Sequence, residues 1–222
     1  MRKDVALAMK DHYLSYYHKY DNGRLEELDI KKHGYDFMGH IKFLFDRTDS
    51  TLSITGDYGN AIFCWASSLN TLKDIQDYTQ DLSYFASKCL ATSRPTYEYD
   101  DQKAEKDIKT WLTSKHIRLD EWGDMESDLY LFESPDDFID QLVSCIDCQR
   151  GLDLELAFYE NGSALKDALN YIDDYWQEDA EMWGKQISGE IQVWAHALEL
   201  GFRWKKQQEA PGQMSLLEGN GK

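Results

Sequence analysis

Ile41-Lys42-Phe43-Leu44-Phe45-Asp46, Thr51-Leu52-Ser53-Ile54-Thr55 and Ala61-Ile62-Phe63-Cys64-Trp65 are three short runs divided by Arg47-Thr48-Asp49-Ser50 and Gly56-Asp57-Tyr58-Gly59-Asn60. In the first, Ile41, Phe43 and Phe45 alternate with Lys42, Leu44 and Asp46, the period of two that sends successive side chains to opposite faces of a strand. The dividers are built from Gly, Asp, Asn and Ser, the residues of tight reversals. Together they read as a three-stranded antiparallel meander. Gly56–Asn60 joins two strands and lacks the lysine of a phosphate loop, so it reads as a turn whose glycines take positive φ.

Outward from the meander the period changes. Val5, Met9, Tyr13, Tyr16 and Tyr20 recur at helical spacing, which predicts a helix over residues 3–20 that ends at Asp21-Asn22-Gly23. Beyond Ser68, Leu72, Ile75 and Tyr78 predict one short helix, and Leu82, Phe85 and Cys89 another starting at Asp81. Ala104, Ile108, Trp111 and Leu112 mark the next. Ser134-Pro135-Asp136-Asp137 is a helix start, with a serine cap, proline at the first position and acids in the first turn. Phe138, Leu142, Cys145 and Ile146 would be its buried stripe. Asn161-Gly162-Ser163 begins another, with Leu165, Ala168, Leu169, Ile172 and Trp176 inward. The longest periodic run is Trp183, Ile187, Ile191, Trp194, Leu198 and Phe202, ending at Lys205-Lys206. Helices following strands without alternation predict an α+β fold: a small three-stranded antiparallel sheet with a predominantly helical remainder. The expected organisation is an α+β part over residues 1–119, an acidic helical part packed on it over 120–209, and a flexible tail over 210–222.

Charge separates the chain sharply. The net charge is −17 over 222 residues, and Asp120 to Glu181 holds nineteen acids against Arg150 and Lys166, while the rest carries 22 acids and 22 bases. An apolar content of 42%, with seven Trp, fourteen Tyr and nine Phe, is ample for a core, so this asymmetry marks an acidic face and not disorder. Asp136, Asp137, Asp140 and Asp147 fall opposite the apolar stripe of the helix starting at Ser134, and Asp167, Asp174, Glu178 and Glu181 do so on the next. Four helical residues rise about 6 Å, and phosphates along one DNA strand lie about 3.4 Å apart in projection. Two such helices approximate the charge density of a duplex edge. A solvated helix normally mixes signs to gain i,i+4 pairs; nineteen acids with two bases forgo them.

The other candidate chemistries are weaker. Cys145-Ile-Asp-Cys148 has CxxC spacing, but it falls on a predicted helix without a knuckle, and Cys64 and Cys89 sit among apolar residues, so all four read as buried reduced thiols. Asp173, Asp174, Glu178 and Glu181 could hold Mg²⁺ in a phosphodiesterase, yet carboxylates at helical spacing project along a surface without converging. The six histidines have no metal-pair spacing, there is no nucleophile elbow, and no stretch interleaves bases with aromatics, which disfavours direct nucleic-acid binding. No catalytic residue, metal or cofactor is expected. Neither a signal peptide nor a membrane span is visible, which predicts a cytoplasmic protein. In the tail, Gln213-Met214-Ser215-Leu216-Leu217 resembles the short motif by which bacterial proteins bind the replicative sliding clamp, with Leu217 where Phe is usual.

The segment Ser53-Ile54-Thr55-Gly56-Asp57-Tyr58-Gly59-Asn60-Ala61-Ile62-Phe63 resembles a turn cassette in a group of uncharacterised bacteriophage and prophage proteins. In that group the second strand is followed by a helix with an aromatic and a lysine, here Tyr84, Phe85 and Lys88, and the chain ends in an aromatic helix similar to Trp194-Ala195-His196-Ala197-Leu198 and Gly201-Phe202-Arg203. The resemblance leaves out the acidic middle. It implies a phage origin and carries over no catalytic residue. With the acidic face, it leads to the expectation of a non-catalytic accessory protein in the host bacterial cytoplasm. Its target would be a basic, nucleic-acid-binding host protein, such as a CRISPR effector or restriction enzyme, blocked by DNA mimicry or sterically. A clamp-binding replication adaptor and a carboxylate-metal phosphodiesterase are the alternatives.

Overall fold

The computed structural model describes residues 3–35, 38–118, 122, 132–147, 151–152 and 164–209. They fall into two compact units, one formed by the residues up to Thr96 together with those from Ile187 onward, the other by Tyr97–Gln186.

The first unit begins with α1 (Lys3–Ala8) and continues as β1 (His12–Tyr20), β2 (Leu25–Lys32), β3 (Ile41–Asp46), β4 (Thr51–Gly56) and β5 (Ala61–Cys64). The short helices α2 (Leu72–Tyr78) and α3 (Leu82–Ser87) lead to β6 (Cys89–Thr92). The strands form one antiparallel sheet in the order β1-β2-β3-β4-β5-β6. The expected small three-stranded sheet is therefore wrong. β3, β4 and β5 are the meander read from sequence, and β1, β2 and β6 extend it on both sides.

The error has a physical source at β1. The register with β2 shifts between Leu14 and Tyr16, so that Leu14 lies opposite Ile30 and Tyr17 opposite Leu28. This bulge turns residues three apart onto one face, and a strand thereby acquires the spacing of a helix. Only Lys3–Ala8 is helical, and Asp21-Asn22-Gly23, read as a helix stop, is the turn between β1 and β2, with φ of 51°, 52° and 82°. β2 is hard to see because Glu26, Glu27 and Asp29 interrupt it. β6 was taken for the end of the helix starting at Asp81, whereas Cys89 pairs with Phe63 in the sheet.

The long helix α8 (Gly189–Glu209) closes the core of this unit against one face of the sheet. Leu28, Ile30, Ile41, Phe43, Phe45, Leu52, Ile54 and Phe63 are buried there with Ile191, Trp194, Ala197 and Leu198. Phe63 stacks on Phe85 at 4.6 Å and meets Trp194 edge-on at 6.1 Å. Gly201 lets the helix approach closely, since a Cβ there would lie 2.8 Å from both methyls of Leu28.

The second unit starts with β7 (Tyr97–Tyr99) and α4 (Asp101–Ser114) and continues with α5 (Pro135–Ser144). β8 (Ile146–Asp147) and β9 (Gly151–Leu152) form a short pair, followed by α6 (Ala164–Ile172), α7 (Trp176–Ala180) and β10 (Lys185–Ile187), which pairs with β7. A single apolar cluster joins its helices: Ile108, Trp111 and Leu112 of α4; Phe138, Ile139 and Leu142 of α5; Leu165 and Leu169 of α6; Trp176 and Ala180 of α7. Trp183 meets Trp111 edge-on at 5.1 Å. The Ser134 cap is as expected, its hydroxyl accepting from Asp137 N at 3.1 Å.

Two expected helices are cut short. The helix begun near Asn161 stops at Ile172, because Asp173 turns its carboxylate to Tyr175 N (3.1 Å) and to Lys115 Nζ (2.5 Å) before α7 resumes at Trp176. The run from Trp183 is not continuous either: Gly184 has a φ of 71°, β10 follows, and α8 begins only at Gly189.

Gly56 ends β4 with a φ of 141°, and a Cβ would sit 2.0 Å from the His40 carbonyl oxygen. Gly56→Ala should thus lower the unfolding free energy by about 3 kcal/mol, through backbone strain and displacement of β3. Urea denaturation checks this; an unchanged midpoint would show that the turn tolerates a side chain.

Candidate functional site

The second unit carries almost all of the net charge, with 24 acids against 8 bases between Tyr97 and Gln186. Its acids divide by what they touch. Asp137 is held within α5, accepting from Glu133 N and from the Gln141 amide, both at 3.0 Å. Asp136 is exposed, with Lys109 at 3.2 Å. Asp140 on α5, Asp167 on α6, Asp174 in the turn, Glu178 on α7 and Glu181 just after it are all exposed, with no ion pair among the described residues. Asp147 lies on β8 and not on the helix starting at Ser134, and the placement of its side chain is outside the described residues. Because the helix ends at Ile172, Asp167 does not share one helical face with Asp174, Glu178 and Glu181.

The expectation of nearly unpaired acids is amended at Asp136, Asp173 and Asp179, whose counterions come from outside the acidic stretch, from Lys109 of α4 and from Lys115 just after it. Lys109 binds Glu105 at 2.6 Å as well as Asp136. Lys115 sits between Asp173 at 2.5 Å and Asp179 at 3.6 Å, and Asp179 also accepts from Trp111 Nε1 at 3.1 Å. The hydrogen bonds from Lys115 and Tyr175 N hold the Asp173 carboxyl below the usual aspartate range.

Asp173, weighed and disfavoured in sequence as a Mg²⁺ ligand with Asp174, Glu178 and Glu181, is engaged by a lysine. Among the described residues no three His, Cys, Asp or Glu side chains are grouped to hold a metal ion. Cys145 lies just past the end of α5, not within a helix, with its thiol 3.1 Å from Gln141 O. Cys64 and Cys89 are half-buried, not buried as expected, and Cys148 is outside the described residues. Gln213–Leu217 is outside them as well. No described helix is long and apolar enough to cross a membrane.

A second constellation, on the sheet face opposite α8, was missed. Tyr16, Asp29, Lys42 and Thr55 lie in one row across β1, β2, β3 and β4. Glu27 accepts from the hydroxyls of Tyr16 and Tyr20 (the latter at 2.9 Å) and from Lys42 Nζ at 2.6 Å. Asp29 is bound by His40 Nε2 and has Lys31 Nζ at 3.6 Å. The His40 backbone N–H donates to Asp57 at 2.9 Å. Tyr16, Asp29, Lys31, His40, Lys42 and Asp57, with Tyr35 and Met38, line a cleft of about 420 Å³.

The charges there are locked. Burial, then the hydrogen bond to Glu27, pushes the Tyr16 phenol up to about 12. Burial disfavours ionised Glu27, but the bonds from Lys42, Tyr16 and Tyr20 outweigh it and lower its pKa, while the bond to Glu27 raises that of Lys42. Near neutral pH none of these three changes protonation, which suits fixed charge better than proton transfer. The signal in sequence was the alternation Leu25, Glu27, Asp29 and Lys31 against Glu26, Leu28 and Ile30, legible only once Tyr16 is placed on a strand.

On the helix-bearing side, Lys19 and Lys205 lie over the Tyr17 ring at 6.0 and 4.8 Å, and Lys73 lies over Phe202 at 6.0 Å. Folding interleaves bases with aromatics that are far apart in sequence. Each of these lysines is also bound to an acid at 2.7 Å: Glu26, Glu209 and Asp77 respectively.

No protein-family model, curated protein or solved structure matches this chain.

Asp173 has a depressed folded-state pKa, so its contribution to stability is present above the ordinary aspartate value near pH 4 and is lost as pH falls through the folded value. Asp173→Asn should therefore destabilise the protein at pH 7, by an amount that shrinks progressively as pH falls below about 4. Urea midpoints of both proteins across that range check the convergence; a constant offset would mean that the carboxylate charge is not what Lys115 recognises.

Proposed function

We propose that this chain is a binding protein whose second unit engages a basic, nucleic-acid-binding surface of another protein. The observation that supports this reading is the set Asp140, Asp167, Asp174, Glu178 and Glu181, exposed and without counterions among the described residues. They belong to a unit with a threefold excess of acids over bases. Lys109 of α4 and Lys115 just after it neutralise Glu105, Asp136, Asp173 and Asp179, whereas these five carboxylates stay exposed and contribute an outward negative field. Such a field accelerates encounter with a cationic partner, repels polyanions and is screened beyond about 10 Å at moderate salt.

The phage-like cassette directs the choice of partner to host proteins that themselves grip nucleic acid, a CRISPR effector or a restriction enzyme being the leading classes. The mode is competition: carboxylates take the place of phosphates, or the bound protein obstructs the nucleic-acid path.

The test is inhibition of DNA binding across a panel of purified CRISPR effectors and restriction enzymes. At least one should be inhibited, more weakly as salt rises. Replacing Asp174, Glu178 and Glu181 together by Lys should weaken that inhibition by about tenfold or more while thermal unfolding stays within a few degrees. Equal potency of the folded triple variant, or no inhibition anywhere in the panel, would refute the proposal.

A further inference from the structure

Apart from the acidic unit, the cleft on the open sheet face is arranged as a ligand site. Its carboxylates stand behind its cations. The side chains of Asp29 and Glu27 are 2% and 10% exposed, whereas those of Lys31 and Lys42 are 42% and 38% exposed. An ammonium has three N–H donors. Lys42 is fixed by one short bond to Glu27, and Lys31 stands 3.6 Å from Asp29, outside hydrogen-bond range, so both retain donors toward the cleft. The acids therefore position the lysines without occupying the space in front of them. This differs from the helix-surface pairs Lys73–Asp77 and Lys109–Glu105, where lysine and acid are both solvent-exposed and one turn apart.

We infer that this cleft binds a phosphate monoester, with the phosphate seated between Lys31 and Lys42 and a planar organic body against Tyr35 and Met38. Two ammoniums from adjacent strands supply donors to phosphate oxygens, and such charge-assisted bonds are the strong ones; because Glu27 and Asp29 already balance the two charges, the donors and not a net positive charge hold the phosphate. Tyr35 and Met38 are 54% and 65% exposed, an aromatic and thioether wall, and the Lys32 ammonium lies over the Tyr35 ring at 5.0 Å. The cleft's volume of about 420 Å³ lies within the range of small-molecule sites. Asp57, exposed on the rim, accepts from the His40 backbone N–H at 2.9 Å. His40, tied to Asp29 by its ring and to Asp57 by its backbone, holds the wall in place.

The experiment is titration of the full chain with adenosine monophosphate, inorganic phosphate and adenosine, read by calorimetry and amide NMR. Adenosine monophosphate should bind saturably, inorganic phosphate should compete, adenosine should not bind, and the shifted amides should map to β2, β3 and the segment around Tyr35. Lys31→Gln should weaken binding by about fivefold or more and Lys31→Glu should abolish it, whereas Lys73→Gln should change nothing. Because Lys31 makes no short bond, Lys31→Gln should unfold near the wild-type temperature, and Lys31→Glu somewhat lower, since it sets a second carboxylate beside buried Asp29. Absence of saturable binding up to about 10 mM of either phosphate compound, equal affinity of the Lys31 variants, or equal binding of adenosine would overturn the assignment.

Discussion

Three acidic side chains buried on one strand set the terms for the first unit. Glu26, Glu27 and Asp29 of β2 are 1%, 8% and 2% exposed, and an ionised carboxylate removed from water must be paired and hydrogen-bonded to be tolerated. Their partners come from every neighbouring element. Tyr17 donates to Glu26 at 2.6 Å, Lys19 lies at 2.7 Å, and the Leu72 amide at the start of α2 reaches it at 3.3 Å. Glu27 draws Tyr16 and Tyr20 from β1 and Lys42 from β3, and Asp29 draws His40 from the β2–β3 connection. A slip of one residue in either ladder would strand all three charges and turn Leu28 and Ile30 to solvent. The acids thus specify the register of β1, β2 and β3, while apolar burial against α8 supplies the driving force.

What could be read in the amino-acid sequence follows from how local each signal is. The β3–β5 meander and the Ser134 cap depend on residues within a few positions of one another, and both stand as read. β1 was hidden by its bulge, which makes strand residues imitate a helical stripe. β2 was hidden because its acids look like surface residues until their partners are known, and those partners lie up to 46 positions away. The same holds for the sites. The acidic stretch shows in composition alone, but its neutralisation by Lys109 and Lys115 does not, since α4 precedes it. The open-face cleft joins residues from Tyr16 to Asp57 across three strands and two connections, and no short motif marks it.

The two units divide the work between two kinds of electrostatics. In the first, charges of both signs are interlocked, and Glu27, Tyr16 and Lys42 are held in single protonation states. In the second, a partial set of lysines leaves one sign outward. Interlocked charge recognises a small, oriented group at short range, whereas unbalanced charge attracts a large partner at long range. The functional reading offered above assigns each unit the task its charge arrangement suits.

The chain order has a further consequence. The apolar face of the sheet is complete once β6 has been made, but the helix that covers it, α8, is encoded beyond the whole of the second unit. During synthesis, Phe85 of α3 can already cover Phe63, but the part of the face that α8 covers must wait while some hundred further residues leave the ribosome at about 5–20 residues per second. For those seconds the nascent chain exposes apolar sheet surface, which favours aggregation. The pairing of β7 with β10 shortens that hazard, because it brings the two ends of the intervening segment together and delivers Gly189 close to the point where Thr96 left off. Yield of folded protein is then governed less by the final stability of the sheet than by how quickly its last helix arrives.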